Sequence, residues 1–88
     1  MRDLLWHSAA WAEYVKIQGD TTMQRKVNNI INDILRNGYK CSYGKPEMLK
    51  GDLSGYASVR IDKKNRLVFK ADDVTITIAQ CGGHYGDK

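Results

Sequence analysis

Residues 56–79, YASVRIDKKNRLVFKADDVTITIA, carry the clearest periodicity in the chain. From Tyr56 to Ile61, Ala57, Val59 and Ile61 fall on one side and Tyr56, Ser58 and Arg60 on the other, the period of two expected of a half-buried strand. A turn over residues 62–65 leads to a second run, in which Leu67 and Phe69 are expected in the core while Arg66, Val68 and Lys70 point away. Asp72 and Asp73 make another turn. Beyond it Val74, Ile76 and Ile78 alternate with Thr75, Thr77 and Ala79, so the three runs predict an antiparallel meander with one face on a core.

The stretch before the meander changes character. Residues 38–55 hold four glycines, the only proline and three lysines, which predicts a long irregular connection. Pro46 presets its own φ and biases Lys45 towards an extended conformation, so Glu47 is expected on a stiffened loop. Upstream, Val27, Ile30, Ile31, Ile34 and Leu35 form an apolar face that predicts a helix from about Thr22 to Arg36. Gly38 is its stop, and Thr21 with Gln24 its capping box. Arg25, Asn28, Asn29, Asn32 and Asp33 form the opposite face and read as solvated. A shorter helix is predicted from a Ser8 cap to about Ile17, with Trp11, Tyr14 and Val15 as its core stripe. Residues 3–6, DLLW, read as an opening strand. The expected architecture is α+β: an N-terminal strand, two helices, then the antiparallel meander packed on the helices, all in a single domain spanning residues 1–88.

Size and charge narrow the function. With 88 residues the chain is too short for two domains, and a core this small leaves no room for a deep cofactor cleft. Net charge is +4, but residues 36–70 hold nine Lys/Arg against three acids, so the positive field is regional and suits phosphate. Cys41 and Cys81 form no CxxC, and Cys81-x-x-His84 has no second ligand pair beyond lone Cys41 and His7. Reduced thiols and no metal are therefore expected. No run of about 18 apolar residues occurs, and the opening MRDLLWHSAAW lacks the pattern of a secretory leader. The expected setting is cytoplasmic, with no membrane partner.

The predicted open face of the sheet gathers Arg60 and Arg66 from neighbouring strands, beside the loop that carries Lys45, Glu47 and Lys50. Gly82 and Gly83 would let the terminal His84 and Tyr85 bend towards the same face. These groups suit RNA phosphodiester cleavage without a metal. Glu47 would take the proton of a 2′-hydroxyl as general base, and His84 would protonate the departing 5′-oxygen as general acid. Arg60 and Arg66 would grip the phosphate, Lys45 and Lys50 would add cationic charge, and Tyr85 would stack on a base or orient the scissile phosphate. Each residue also has a plainer reading. Glu47 could be an exposed loop acid paired with Lys45 or Lys50, the arginines surface charges, and His84-Tyr85 a frayed tail. His7 reads as structural.

The string GKPEMLKGDLSGYASVRIDKKNRLVF (residues 44–69) followed by a terminal HY, with Trp6 and Trp11 upstream, resembles the YoeB/Txe branch of the RelE-like toxins over nearly the whole chain. The resemblance implies a microbial-ribonuclease type of fold and a ribosome-dependent endoribonuclease that cleaves mRNA in the decoding site without a cofactor. It also implies silencing by a cognate antitoxin of the YefM/Axe kind, expected to be acidic and partly disordered, and homodimerisation. Carried over residue by residue, it puts the general base on Glu47, the phosphate-binding arginines on Arg60 and Arg66, the lysine on Lys50, and the terminal acid and aromatic on His84 and Tyr85. Two departures stand out. Asn65 occupies a position where relatives commonly carry histidine, and Gly82-Gly83 replaces larger residues, which is expected to loosen the tail. A non-catalytic protein that blocks the decoding site, or one acting chiefly as half of a repressing complex, fits the same charge distribution.

Overall fold

The computed structural model describes residues 2–42 and 45–83. In chain order the elements are β1 (Asp3–Trp6), α1 (Ser8–Lys16), α2 (Thr21–Asn37), β2 (Glu47–Met48), β3 (Ala57–Arg60), β4 (Arg66–Ala71) and β5 (Thr75–Cys81). Short 3-10 turns lie at Ile17–Gly19, Gly38–Lys40 and Gly51–Leu53. The strands form one sheet in the order β1-β5-β4-β3-β2. Only the β1–β5 pair is parallel. A parallel pair needs a long crossover, and the two helices provide part of it, which is why they come between the first strand and the meander.

Alternation places the core. Ala57 and Val59 of β3, Leu67 and Phe69 of β4, and Ile76 and Ile78 of β5 are all fully buried, and they meet Val27, Ile30 and Ile34 of α2 and Ala10 of α1. Each large apolar side chain removed from water contributes roughly 1.5–3 kcal/mol. The ring of Tyr39 stacks on Phe69 at 5.6 Å between centroids, and its hydroxyl donates to the Gly55 carbonyl at 2.6 Å and accepts from the Ala71 N–H at 2.9 Å.

Helix α2 is capped at both ends, one residue away from the expected start. Asp20 is the N-cap, and its carboxylate accepts from the Met23 N–H at 3.0 Å, a bond that the Thr21-Gln24 box would have placed one residue later. At the other end Gly38 takes φ +56°, as the stop signal requires. The Arg2 guanidinium closes that end by donating to the carbonyls of Leu35 and Arg36, each at 3.2 Å, and of Asp72 at 2.6 Å. A positive side chain is favoured there by the helix dipole.

Five expectations are corrected. First, the connection before β3 is not wholly irregular, because Glu47 and Met48 pair with Ser58 and Ala57 as a short edge strand. Second, Lys45 has φ +45° rather than an extended backbone. The pre-proline bias is overridden at the entry to β2. Third, His7 rather than Ser8 is the N-cap of α1, and Trp11 and Val15 are largely exposed. Trp11 packs edge-on against Trp6 at 5.6 Å, because only Ala10 of this short helix is buried against the sheet. Fourth, Val68 is buried, since β4 is an inner strand and Ser58 and Gln80 flank it, whereas Val74 lies in the β4–β5 turn and is exposed. Fifth, the polar face of α2 is put to use: Asn28 accepts from the Tyr14 hydroxyl at 2.8 Å, and Asp33 accepts from the Ser42 N–H at 2.9 Å.

Two sets of measurements test this packing. Phe69→Ala should cost about 3–5 kcal/mol in urea unfolding and Asp20→Ala about 1 kcal/mol, since the first opens a cavity and the second only frees an N–H. Burial pushes the Cys41 thiol up to about 11 and the Cys81 thiol up to about 12, with Asp33 and Glu13 respectively adding to the effect. Iodoacetamide should therefore label neither thiol of the folded protein at pH 8. Their stabilising contribution should hold below pH 9 and fall as pH rises towards those values, because the unfolded thiols ionise first. The fall in urea midpoint should be smaller in Cys81→Ala.

Candidate functional site

On the sheet face opposite the helices, a short row crosses three strands. Glu47 of β2 pairs with Ser58 of β3, and Ser58 pairs with Val68 of β4, two residues from Arg66. Arg66 reaches diagonally back along this row. Its Nε donates to Ser58 Oγ at 2.5 Å, and its Nη2 lies 3.8 Å from Glu47 Oε1. Arg66 is only 20% exposed and Glu47 61%, so the guanidinium stem is held while the carboxylate stays open to solvent. An ion pair this long and this open adds at most about 1 kcal/mol to stability. Its consequence is placement, with a carboxylate beside a guanidinium that has a fixed plane.

The backbone of Arg66 bonds to the other side. Its N–H donates to the Gly83 carbonyl at 2.7 Å, and its carbonyl accepts from the Gly82 N–H at 3.0 Å, so the pairing of β4 continues past the end of β5. Gly82 and Gly83 have φ of +118° and +68°, conformations open mainly to glycine. The two glycines themselves form a tight turn whose N–H and C=O groups are bonded, while the tail they are expected to loosen, from His84 on, lies outside the described residues.

The remaining expected residues divide. Arg60 is exposed and directly opposite Arg66 in the β3–β4 register, a pairing of like charges that an anion between them would relieve. Lys50 is exposed and lines, with Glu47, Met48, Leu49 and Leu53, a shallow hollow of about 280 Å³. Lys45 is exposed, two residues before Glu47. His84 and Tyr85 lie outside the described residues. Cys81 belongs to the core.

Sequence reasoning missed two contributors. Ser58 sits on the expected open face, yet it is fully buried and holds the Arg66 guanidinium; its alternation with Arg60 was the available signal. Asn65 reads as a plain turn residue, but its side chain bonds to Gly83 across 18 residues of sequence, for which no local pattern exists.

A sheet of this order with two helices on one face and a carboxylate–arginine row on the other is a small α+β fold. Residues 6–85 match the model of the YoeB-like toxin of bacterial type II toxin-antitoxin systems. The chain is 46% identical over 79 residues to toxin YoeB of Streptomyces coelicolor, covering 89% of this chain and 93% of that one. Among solved structures it is similar to the YoeB dimer from Staphylococcus aureus, with a TM-score of 0.86, 40% identity and coverage of 96% and 98%. The YoeB-YefM complex from the same organism gives a TM-score of 0.86 at 38% identity, over 97% and 99% of the two chains. The chain therefore belongs to the YoeB-like toxins of bacterial type II toxin-antitoxin systems.

Ser58→Ala removes one acceptor from a half-buried guanidinium. Urea unfolding should show a loss of about 1–3 kcal/mol, because the Arg66 Nε–H is left without that partner.

Proposed function

We propose that this toxin is an endoribonuclease that cleaves mRNA in the ribosomal A site and so arrests translation. The observation that carries the reading is that one residue, Arg66, is tied by its side chain to Glu47 and by its backbone to Gly83, the residue before His84. In the proposed reaction Glu47 removes the proton of the 2′-hydroxyl, whose oxygen attacks the adjacent phosphorus. Arg66, with Arg60 opposite, takes up the negative charge that gathers on the phosphoryl oxygens. His84 gives its proton to the 5′-oxygen as the P–O bond breaks, leaving a 2′,3′-cyclic phosphate and a 5′-hydroxyl end. No step calls for a metal ion. Tyr85 orients the scissile phosphate or stacks on a base, and Lys45 and Lys50 hold flanking phosphates.

The partners follow from the same electrostatics. An exposed cationic face suits an acidic, partly disordered antitoxin segment, and the YoeB-YefM complex of Staphylococcus aureus supports a partner of that kind. The Staphylococcus aureus YoeB dimer supports homodimerisation. The cytoplasm, where ribosomes work, is the proposed location.

Mapping of mRNA ends after induction tests the reading. Codon-phased 5′ ends are expected from the wild type, whereas arrest with intact message would replace the nuclease by a protein that merely occupies the decoding site. On programmed ribosomes Glu47→Gln should slow single-turnover cleavage by about 10² or more with ribosome binding retained. A 2′-deoxynucleotide at the scissile position should abolish cutting, and persistent cutting would rule out 2′-hydroxyl attack.

A further inference from the structure

The chain leaves β5 under three side-chain hydrogen bonds, one at each successive residue. Glu13 Oε1 of α1 accepts from the Cys81 N–H at 2.9 Å, Gln80 Nε2 donates to the Gly82 carbonyl at 2.9 Å, and Asn65 Oδ1 accepts from the Gly83 N–H at 2.8 Å. With the Arg66 N–H on its carbonyl, Gly83 is held at both of its backbone polar groups, by two consecutive residues of one strand entry.

The orientation of the Asn65 amide is determined from its far end. Its Nδ2 donates to Asp62 Oδ1 at 3.0 Å and Oδ2 at 3.2 Å, which leaves Oδ1 as the atom facing Gly83. Asp62 is itself fixed by the N–H groups of Lys64 and Asn65, both at 2.9 Å, and these bonds, with the Asn65 side chain and the charge of Lys26, hold its carboxyl below the usual range. It stays an ionised acceptor at neutral pH. The relay therefore runs from an anchored carboxylate through one amide to the residue adjoining His84.

We propose that Asn65, oriented by Asp62, is a positioning residue for the terminal acid of the cleavage reaction. It fixes the Gly83 N–H, one residue before His84, and through that hold acts on the group that protonates the leaving oxygen. The inference rests on the nuclease reading above and adds a residue that acts through Gly83. Errors of about 1 Å in placing a catalytic group cost on the order of 10²-fold in rate. Loss of one of the bonds that hold Gly83 should cost part of that.

Single-turnover cleavage on programmed ribosomes tests it with the full-length chain. Asn65→Ala should lower kcat about 10-fold or more at unchanged KM. In the His84→Gln background the same change should cost little, because the group being aimed is gone. Asn65→Asp alone should be slow, since it sets two carboxylates against each other. Asp62→Asn combined with Asn65→Asp should recover most of the rate by reversing donor and acceptor between the two side chains; this pair carries the test should Asn65→Ala fold poorly. Equal losses in the wild-type and His84→Gln backgrounds, an unchanged kcat in Asn65→Ala, or no recovery in a folded Asp62→Asn/Asn65→Asp protein would each overturn the proposal. A wild type that makes no cut, or a Glu47→Gln variant that cuts at full rate, would overturn the nuclease reading, and this inference with it. A wild type that cuts beside an equally fast Asn65→Ala overturns the inference alone.

Discussion

The alternation of side chains along β4 is the constraint on which the rest of the molecule depends. Leu67 and Phe69 must face the helices, because they supply the centre of the core. The period of two then sends Arg66 and Val68 to the other face. A slip of one residue would bury a guanidinium among apolar side chains and expose a phenyl ring, each a penalty of several kcal/mol, so the register is firmly set. Arg66 is thus where it is because Phe69 is where it is.

From that position Arg66 works in two directions. Its side chain lies along the sheet face to Ser58 and Glu47, while its backbone extends the β4 ladder to Gly82 and Gly83. The individual bonds are weak in stability terms. Their value lies in holding groups from β2, β3, β4 and the end of β5 in one frame without a deep pocket, the arrangement available to a chain of 88 residues. The two glycines at the exit belong to this frame, since their positive φ lets Gly83 reach both Asn65 and Arg66.

The helical layer serves the same frame from behind. The Asp20 cap and the Arg2 guanidinium close the two ends of α2, and Glu13 of α1 satisfies the Cys81 N–H where β1 no longer runs beside β5. The aromatic group of Trp6, Trp11 and Tyr14 joins β1 to α1 at the surface. Its half-exposed state marks the limit of reading a helix from spacing. The apolar stripe is visible in the sequence, but Ala10 is the residue of α1 that is fully buried, with Tyr14 packed partly against the core.

What local chemistry wrote into the chain was legible beforehand: the alternating strands, the apolar face of α2, the glycine that ends it, and the placing of Arg60, Arg66 and Glu47 in one basic region. These follow from steric and solvation preferences that act within a few residues. Sequence could not show that residues 47–48 would join the sheet as an edge strand, that Lys45 would adopt positive φ against its proline neighbour, that Val68 would be covered, or that Ser58 and Asn65 would hold Arg66 and Gly83. The holds on Arg66 and Gly83 are bonds between residues that are not sequence neighbours, 8 residues apart for Ser58 and Arg66 and 18 for Asn65 and Gly83. Only the assembled sheet brings such groups within 3 Å of each other, and no preference of the separate segments encodes that distance.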